Sequence, residues 1–148
     1  VGPTGTGKTF LACALAQQAC RQGHSVRYFR APRLFQDLAL ARGEGTYPLF
    51  LGQLARTDLL VVDDWGIASL TDPERRDFLE VIDDRHTTRS TLLAGQLPVS
   101  HWHECIGDPT IADAICDRLV HNAHQLTLTG GSLRKTRTTL TPPASCDK

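Results

Sequence analysis

A glycine-rich turn at residues 2–9 limits this chain to a small number of architectures. The turn fits the pattern G-x-x-x-x-G-K-[ST], and its residues are Gly2, Pro3, Thr4, Gly5, Thr6, Gly7, Lys8 and Thr9. Glycine permits backbone angles at which successive N–H groups converge on a phosphate, and a following helix adds unpaired amides and its positive dipole end. We therefore predict a nucleoside triphosphate site, with Lys8 bridging the β- and γ-phosphates and the Thr9 hydroxyl binding Mg²⁺.

Residues 59–64 form a second motif, an apolar run that ends in two carboxylates. A strand buried on both faces of a parallel sheet reads as continuous apolar residues, and ligands gather at the carboxyl ends of such strands. Asp63 is therefore predicted to hold Mg²⁺ through water, opposite Thr9. Asp64 is predicted to orient and polarise an attacking water, or else to cap the turn that follows. A second motif at this distance argues against a chance glycine turn at residues 2–9.

Apolar runs alternate with helical periodicity along the chain. The predicted strands are residues 25–29, 59–63, 90–94 and 125–128, and the predicted helices are residues 8–21, 32–41, 47–56, about 73–85 and about 109–123. This alternation predicts an α/β fold with three layers, a parallel sheet between two layers of helices. A phosphate loop normally follows a buried strand, and none precedes Gly2. We therefore expect a fragment that lacks its first core strand.

Composition narrows the environment of the protein. The longest apolar run, at residues 59–62, is far shorter than the roughly 18 residues that a membrane span needs, so we expect no membrane association. Five widely spaced cysteines without a C-x-x-C pair suit free thiols in a reducing cytoplasm. The chain contains no methionine, which adds to the expectation of a fragment. Residues 138–148 are predicted to form a disordered tail after a single domain at residues 1–137.

Motifs downstream of the loop give the sequence a specific resemblance. They are D-D-W-G at 63–66, Q-L-P at 96–98, W-H-E at 102–104, G-D-P-T-I-A-D-A-I-C-D-R-L at 107–119 and G-S-L-R-K at 131–135. Together with the loop, they resemble the IstB-like transposition helper ATPases of bacterial insertion sequences, a group of AAA+ P-loop ATPases. The resemblance covers residues 1–137, and the stretch at 107–119 distinguishes this group from the related DnaC-type helicase loaders.

The resemblance implies more than the residues alone establish. It implies a five-stranded parallel sheet whose central strand would precede Gly2. It implies ATP as the nucleotide, hydrolysed with Mg²⁺, and a homo-oligomer on duplex DNA with nucleotide at the subunit interfaces. It also implies a transposase as partner, and selection of the target site controlled by hydrolysis.

Three further residues receive roles by motif. Gln96 matches the polar residue at a strand end that positions the water or the γ-phosphate. Arg118 matches the arginine presented to a neighbouring subunit's nucleotide, and Arg134 matches one that senses the γ-phosphate within its own subunit. From the residues alone, Arg118 could instead be an exposed helix arginine paired with Asp117 or Glu104. Arg134 could instead be a solvated basic residue in a flexible tail.

Two positions depart from the pattern of the family that the sequence resembles. Asp64 stands where related proteins often have glutamate, and Gly95 stands where a small hydroxyl residue is common.

Two other functions stay open. One alternative function is that of a DnaC-like helicase loader, whose partner is a replicative helicase. The other is that of a truncated nucleotide-binding remnant, which neither folds alone nor hydrolyses ATP.

Overall fold

A computed structural model of the chain describes residues 1–121 and 123–133. Within them, a parallel sheet has the strand order β1–β2–β3, formed by β1 (Val26–Arg30), β2 (Leu59–Trp65) and β3 (Ser90–Gly95). The α-helices of this part are α1 (Lys8–Arg21), α2 (Ala31–Gly43), α3 (Tyr47–Arg56), α4 (Asp72–Arg85), α5 (Trp102–Ile106) and α6 (Pro109–Val120), with a 3₁₀ helix at Val99–His101. The predicted α/β fold with a parallel sheet is confirmed. No helix among the described residues is long and apolar enough to cross a membrane.

The central strand β2 is buried on both faces, which explains its continuous apolar run. Val61 packs with Ala12 of α1 on one face of the sheet. Leu60 and Val62 belong to the larger core on the other face, which α2, α3 and α4 help to form. Full burial of such side chains stabilises a fold by about 1.5–3 kcal/mol each. The strand is therefore anchored in the core, and this fixes the position of the carboxylates at its carboxyl end.

Aromatic packing anchors the carboxyl end of β2. The ring of Trp65 stacks on Phe78 of α4, with 4.4 Å between centroids, and meets Trp102 of α5 edge to face at 5.8 Å. Aromatic pairs in these arrangements contribute about 0.5–1.5 kcal/mol beyond their buried area. These contacts carry the strand two residues beyond the predicted end at Asp63.

Two helices begin at capping residues. Thr71 and Glu74 form a capping box at the start of α4, in which the Thr71 backbone N–H donates to Glu74 at 2.8 Å. Asp108 accepts a hydrogen bond from the backbone N–H of Ile111 at 2.8 Å at the start of α6. In both helices a proline also lies at the start of the first turn, where its missing N–H costs nothing.

A buried arginine joins the end of α3 to the start of β3. Arg85 is 1% exposed, and its guanidinium donates to the backbone carbonyls of Leu54, Thr57 and Ser90 and to the Thr91 hydroxyl. Burial lowers the pKa of Arg85 to about 10, so it remains a cation at neutral pH. Its bond to Thr57 supplies a donor to the carbonyl of a buried residue, where an unpaired oxygen would be costly.

The predicted strand at residues 125–128 is wrong. The backbone N–H of Leu128 donates to the carbonyl of Val1 at 2.8 Å, and the Val1 amino group donates to Leu126 at 2.7 Å. Both bonds engage Val1, and no strand is formed at residues 125–128. The five-stranded sheet implied by the resemblance is likewise not present among the described residues. Arg134 and the predicted tail at residues 138–148 lie outside the described residues.

Candidate functional site

The glycine-rich turn lies at the start of α1, as its pattern predicts. Gly7 caps the helix in the left-handed conformation, with φ of 90°, which glycine adopts without strain. The Lys8 ammonium donates to the carbonyl oxygens of Gly2 at 2.7 Å and Pro3 at 2.6 Å. The Thr6 hydroxyl also donates to Pro3, at 2.9 Å. These bonds hold the lysine side chain over the loop.

The second motif meets the loop directly. The Thr9 hydroxyl, in the first turn of α1, donates to Asp63 Oδ2 of β2 at 2.7 Å. Asp63 is only 3% exposed, so its carboxylate depends on protein donors. The structure therefore brings together the two residues that the sequence predicts as the metal site, 54 positions apart in the chain.

Asp64 lies on an irregularity of the sheet. The pairing of β2 with β3 shifts between Val62 and Trp65, and Asp64 adopts a left-handed conformation with φ of 58°. Such a bulge re-aims a side chain that would otherwise follow the alternation of the strand. The Asp64 carboxylate forms an ion pair with Arg30 Nε, at the end of β1, at 2.5 Å. The predicted water-activating carboxylate is thus held by an arginine that the sequence reading did not single out.

Tyr28 of β1 is a second residue that the sequence reading missed. Its hydroxyl donates to Asp63 Oδ2 at 2.7 Å. Burial and this hydrogen bond raise the pKa of Tyr28, so the hydroxyl keeps its proton at neutral pH. The sequence carries no local signal for this contact, because only the pairing of β1 with β2 brings Tyr28 near Asp63.

Gln96 follows β3 directly and also contacts the loop. Its side-chain oxygen accepts a hydrogen bond from the Thr4 hydroxyl at 2.7 Å. The preceding residue, Gly95, approaches the backbone so closely that an added Cβ would lie 2.3 Å from the carbonyl oxygen of Trp65. This close approach explains why glycine stands where a small hydroxyl residue is common.

Of the two predicted arginines, only Arg118 lies among the described residues. Arg118 lies on α6, forms an ion pair with Asp83 of α4, and donates to the carbonyl of Ala114 at 2.8 Å. Its carboxylate partner therefore lies on another helix. Arg134 is outside the described residues, but Leu133 before it donates to the carbonyl of Gly5 in the loop at 2.9 Å.

The site combines two chemical capacities. A glycine-rich turn at a helix start presents backbone N–H groups and a positive dipole end, which favour an anion such as a phosphate. The adjacent hydroxyl of Thr9 and carboxylate of Asp63 are hard oxygen donors, which suit Mg²⁺. The donor set thus fits the metal that the sequence implies. An NTP with its Mg²⁺ is the ligand class that requires both capacities side by side.

Comparison with known families agrees with this chemistry. A family model described as IstB-like ATP binding protein matches residues 1–141. The chain belongs to the IstB-like ATP-binding family. The resemblance inferred from the motifs is therefore confirmed.

Relatives in this family are named for insertion sequences. One from Sinorhizobium fredii (strain NBRC 101917 / NGR234) is 56% identical over 134 residues, which cover 90% of this chain and 55% of that protein. The insertion sequence IS21 protein of Pseudomonas aeruginosa is 34% identical over 134 residues, which cover 90% of this chain and 51% of that protein. Both names describe ATP-binding proteins. The chain spans about half the length of these relatives.

Solved structures support the fold independently. The DnaI structure matches with a TM-score of 0.73 at 20% identity and covers 86% of this chain and 70% of DnaI. The DnaC helicase loader matches with a TM-score of 0.68 at 22% identity, covering 86% of this chain and 73% of DnaC. AMPPCP-bound DnaA from Aquifex aeolicus matches with a TM-score of 0.66 at 25% identity, covering 76% of this chain and 36% of DnaA. At the identities of DnaI and DnaC, the likeness shows the fold alone.

Proposed function

We propose that this chain is an ATP-binding and ATP-hydrolysing module that assists a transposase in the transposition of an insertion sequence. The observation that carries the proposal is the 2.7 Å contact between Thr9 and Asp63 beside the glycine-rich turn. It unites the phosphate-binding and metal-binding halves of a nucleotide site. Membership of the family adds ATP as the nucleotide and insertion sequences as the context.

Each residue of the site has a chemical task in this proposal. The amides of residues 2–9 and the Lys8 ammonium bind the phosphates, and Thr9 with Asp63 holds Mg²⁺. The metal, when bound, neutralises charge that develops on the phosphate oxygens. Asp64 orients and polarises the attacking water, and Gln96, next to Thr4, positions that water or the γ-phosphate.

The proposal extends to assembly. Arg118 would act on the nucleotide of a neighbouring subunit, and Arg134 on that of its own subunit. Hydrolysis would then require a homo-oligomer, which we propose forms on duplex DNA in the cytoplasm. The names of the relatives support a transposase as partner, because a mobile element moves by means of such an enzyme.

Nucleotide binding tests the base of the proposal. Lys8→Ala should weaken the binding of AMPPCP with Mg²⁺ at least about 30-fold, because it removes the cation that meets the phosphates. Isothermal titration calorimetry measures the change. Lys148→Ala, which removes the same charge at the last residue, is the matched control and should bind as the wild type does. Equal affinity in the wild type and Lys8→Ala would refute the assignment of the loop.

Partner choice tests the rest of the proposal. ATP hydrolysis by the wild type should rise when duplex DNA and the transposase of the same insertion sequence are added together. A replicative helicase should not replace the transposase. Stimulation by the helicase alone would support the loader function instead, and the absence of hydrolysis in every mixture would support an inactive remnant.

A further inference from the structure

Three donors fix the carboxylate of Asp63. The hydroxyls of Thr9 and Tyr28 both donate to Oδ2, each at 2.7 Å. The backbone N–H of Asp64 donates to Oδ1 at 2.9 Å. Of these donors, the Thr9 hydroxyl and the amide come from the two sequence motifs, whereas Tyr28 comes from a separate strand. The role of Tyr28 is therefore not accounted for by either motif.

Packing explains little of the choice of tyrosine at this position. The residue is 39% exposed, so its ring contributes less to the core than a buried aromatic residue does. Tyr28 pairs with Val61 in the register of β1 and β2, two residues before Asp63. The length of a phenol ring lets the side chain span this offset and place its hydroxyl on the carboxylate. What the residue contributes to the site is this hydrogen bond.

We propose that Tyr28 is a positioning residue, which orients the Asp63 carboxylate for Mg²⁺ in the nucleotide site. This inference rests on the proposed function, since it concerns the same metal. A carboxylate held by one donor on each oxygen can still tilt, whereas the two hydroxyls on Oδ2 restrict both its position and its rotation. Partners that orient a metal ligand in this way commonly change metal affinity about 10- to 100-fold when they are removed.

The test removes the hydroxyl and keeps the ring. For Tyr28→Phe, the affinity for AMPPCP is measured by calorimetry while MgCl₂ is varied, and again in EDTA. The half-saturating Mg²⁺ concentration should rise about tenfold, while the affinity in EDTA stays within about twofold of the wild type. Tyr47→Phe is the matched control, because its hydroxyl also donates to carboxylates, those of Asp77 and Glu80. It should leave the Mg²⁺ dependence unchanged.

Combining Tyr28→Phe with a change at Asp63 shows whether Tyr28 acts through that carboxylate. In Asp63→Asn, the further change Tyr28→Phe should not alter the Mg²⁺ dependence, because the carboxylate through which it acts is gone. Thermal melting without ligand shows whether each variant is folded, and a purely structural role would not act selectively on Mg²⁺.

Three results would overturn the inference. A Tyr28→Phe variant with the Mg²⁺ dependence of the wild type would refute it and leave the proposed function standing. An equal loss of affinity with Mg²⁺ and in EDTA would place the hydroxyl on the nucleotide instead. A wild type that does not bind AMPPCP at all would refute the proposed function, and the role of Tyr28 with it.

Discussion

Arg118 offers the strongest test of hydrolysis between subunits. Its side chain contacts Asp83 and the carbonyl of Ala114, and neither belongs to the loop at residues 2–9. Arg118→Ala should therefore leave AMPPCP affinity within a few-fold of the wild type. An arginine supplied in trans is worth about 10³–10⁵ in the rate of phosphoryl transfer. Hydrolysis by the assembled variant should accordingly fall by about 10³ or more.

The ion pair with Asp83 determines whether Arg118 is available to a neighbour. The side chains of Arg118 and Asp83 are 30% and 44% exposed, so solvent screens their attraction. Pairs of this kind contribute about 0.2–1 kcal/mol. If Arg118 must leave Asp83 to reach a neighbouring nucleotide, the free energy of breaking the pair would lower the hydrolysis rate by about fivefold at most. This loss is far smaller than the rate increase expected from an arginine in trans. Asp83→Asn should therefore raise hydrolysis in the assembled state by no more than about fivefold.

Mixing two inactive variants separates action in trans from action within one subunit. Lys8→Ala subunits lack a working loop but retain Arg118, and Arg118→Ala subunits have the opposite defect. An equimolar mixture on DNA should recover part of the wild-type rate, measured as phosphate release, although neither variant is active alone. Crosslinking confirms that the two variants assemble together. An inactive mixture of co-assembled variants, or normal turnover by Arg118→Ala alone, would refute the assignment in trans.

Further predictions concern stability and the strand end. Arg85→Met should lower the free energy of unfolding in urea by about 1–3 kcal/mol, because the carbonyl of the buried residue Thr57 loses its donor; a loss below about 1 kcal/mol would contradict this. Hydrogen bonds from Ser25 hold the pKa of Asp58 below its usual value. The ionised Asp58 therefore stabilises the folded protein above the pKa of about 3.9 that it has in the unfolded chain. This stabilisation is lost as the pH falls through the lower pKa that Asp58 has in the folded protein. In Asp58→Asn the melting temperature should therefore fall less steeply below about pH 4 than it does in the wild type. An unchanged fall would argue against stabilisation by the Asp58 carboxylate. Gln96→Ala should reduce hydrolysis about 10²-fold while AMPPCP affinity stays within a few-fold, and an unchanged rate would remove Gln96 from the reaction.

Local signals in the sequence predicted much of the fold. The bounds of α1 and α3 agree with the predicted helices at residues 8–21 and 47–56, and β1, β2 and β3 lie within two residues of the predicted strands. These elements carry strong local information, namely helical periodicity and continuous apolar runs. The position of Asp63 opposite Thr9 was also predicted, because both motifs have a fixed place relative to the sheet, but their direct hydrogen bond was not.

Contacts that depend on register were not predicted. Tyr28 and Arg30 reach Asp63 and Asp64 from positions 35 and 34 residues away in the chain. Neither residue belongs to a recognised motif, and only the pairing of β1 with β2 brings them near. The prediction of a strand at residues 125–128 was wrong for a related reason. Its composition resembles that of a strand, but strand formation depends on a partner, and local composition does not supply one.

The residue type at position 64 follows from the shape of the backbone there. The strand does not end at Asp63, because burial of Trp65 against Phe78 and Trp102 carries it onward. The shift in pairing before Trp65 leaves Asp64 with φ of 58°. Aspartate enters this left-handed region more readily than glutamate, because its short polar side chain can hydrogen-bond locally. Aspartate at this position, where related proteins often carry glutamate, therefore matches a backbone that the neighbouring core imposes.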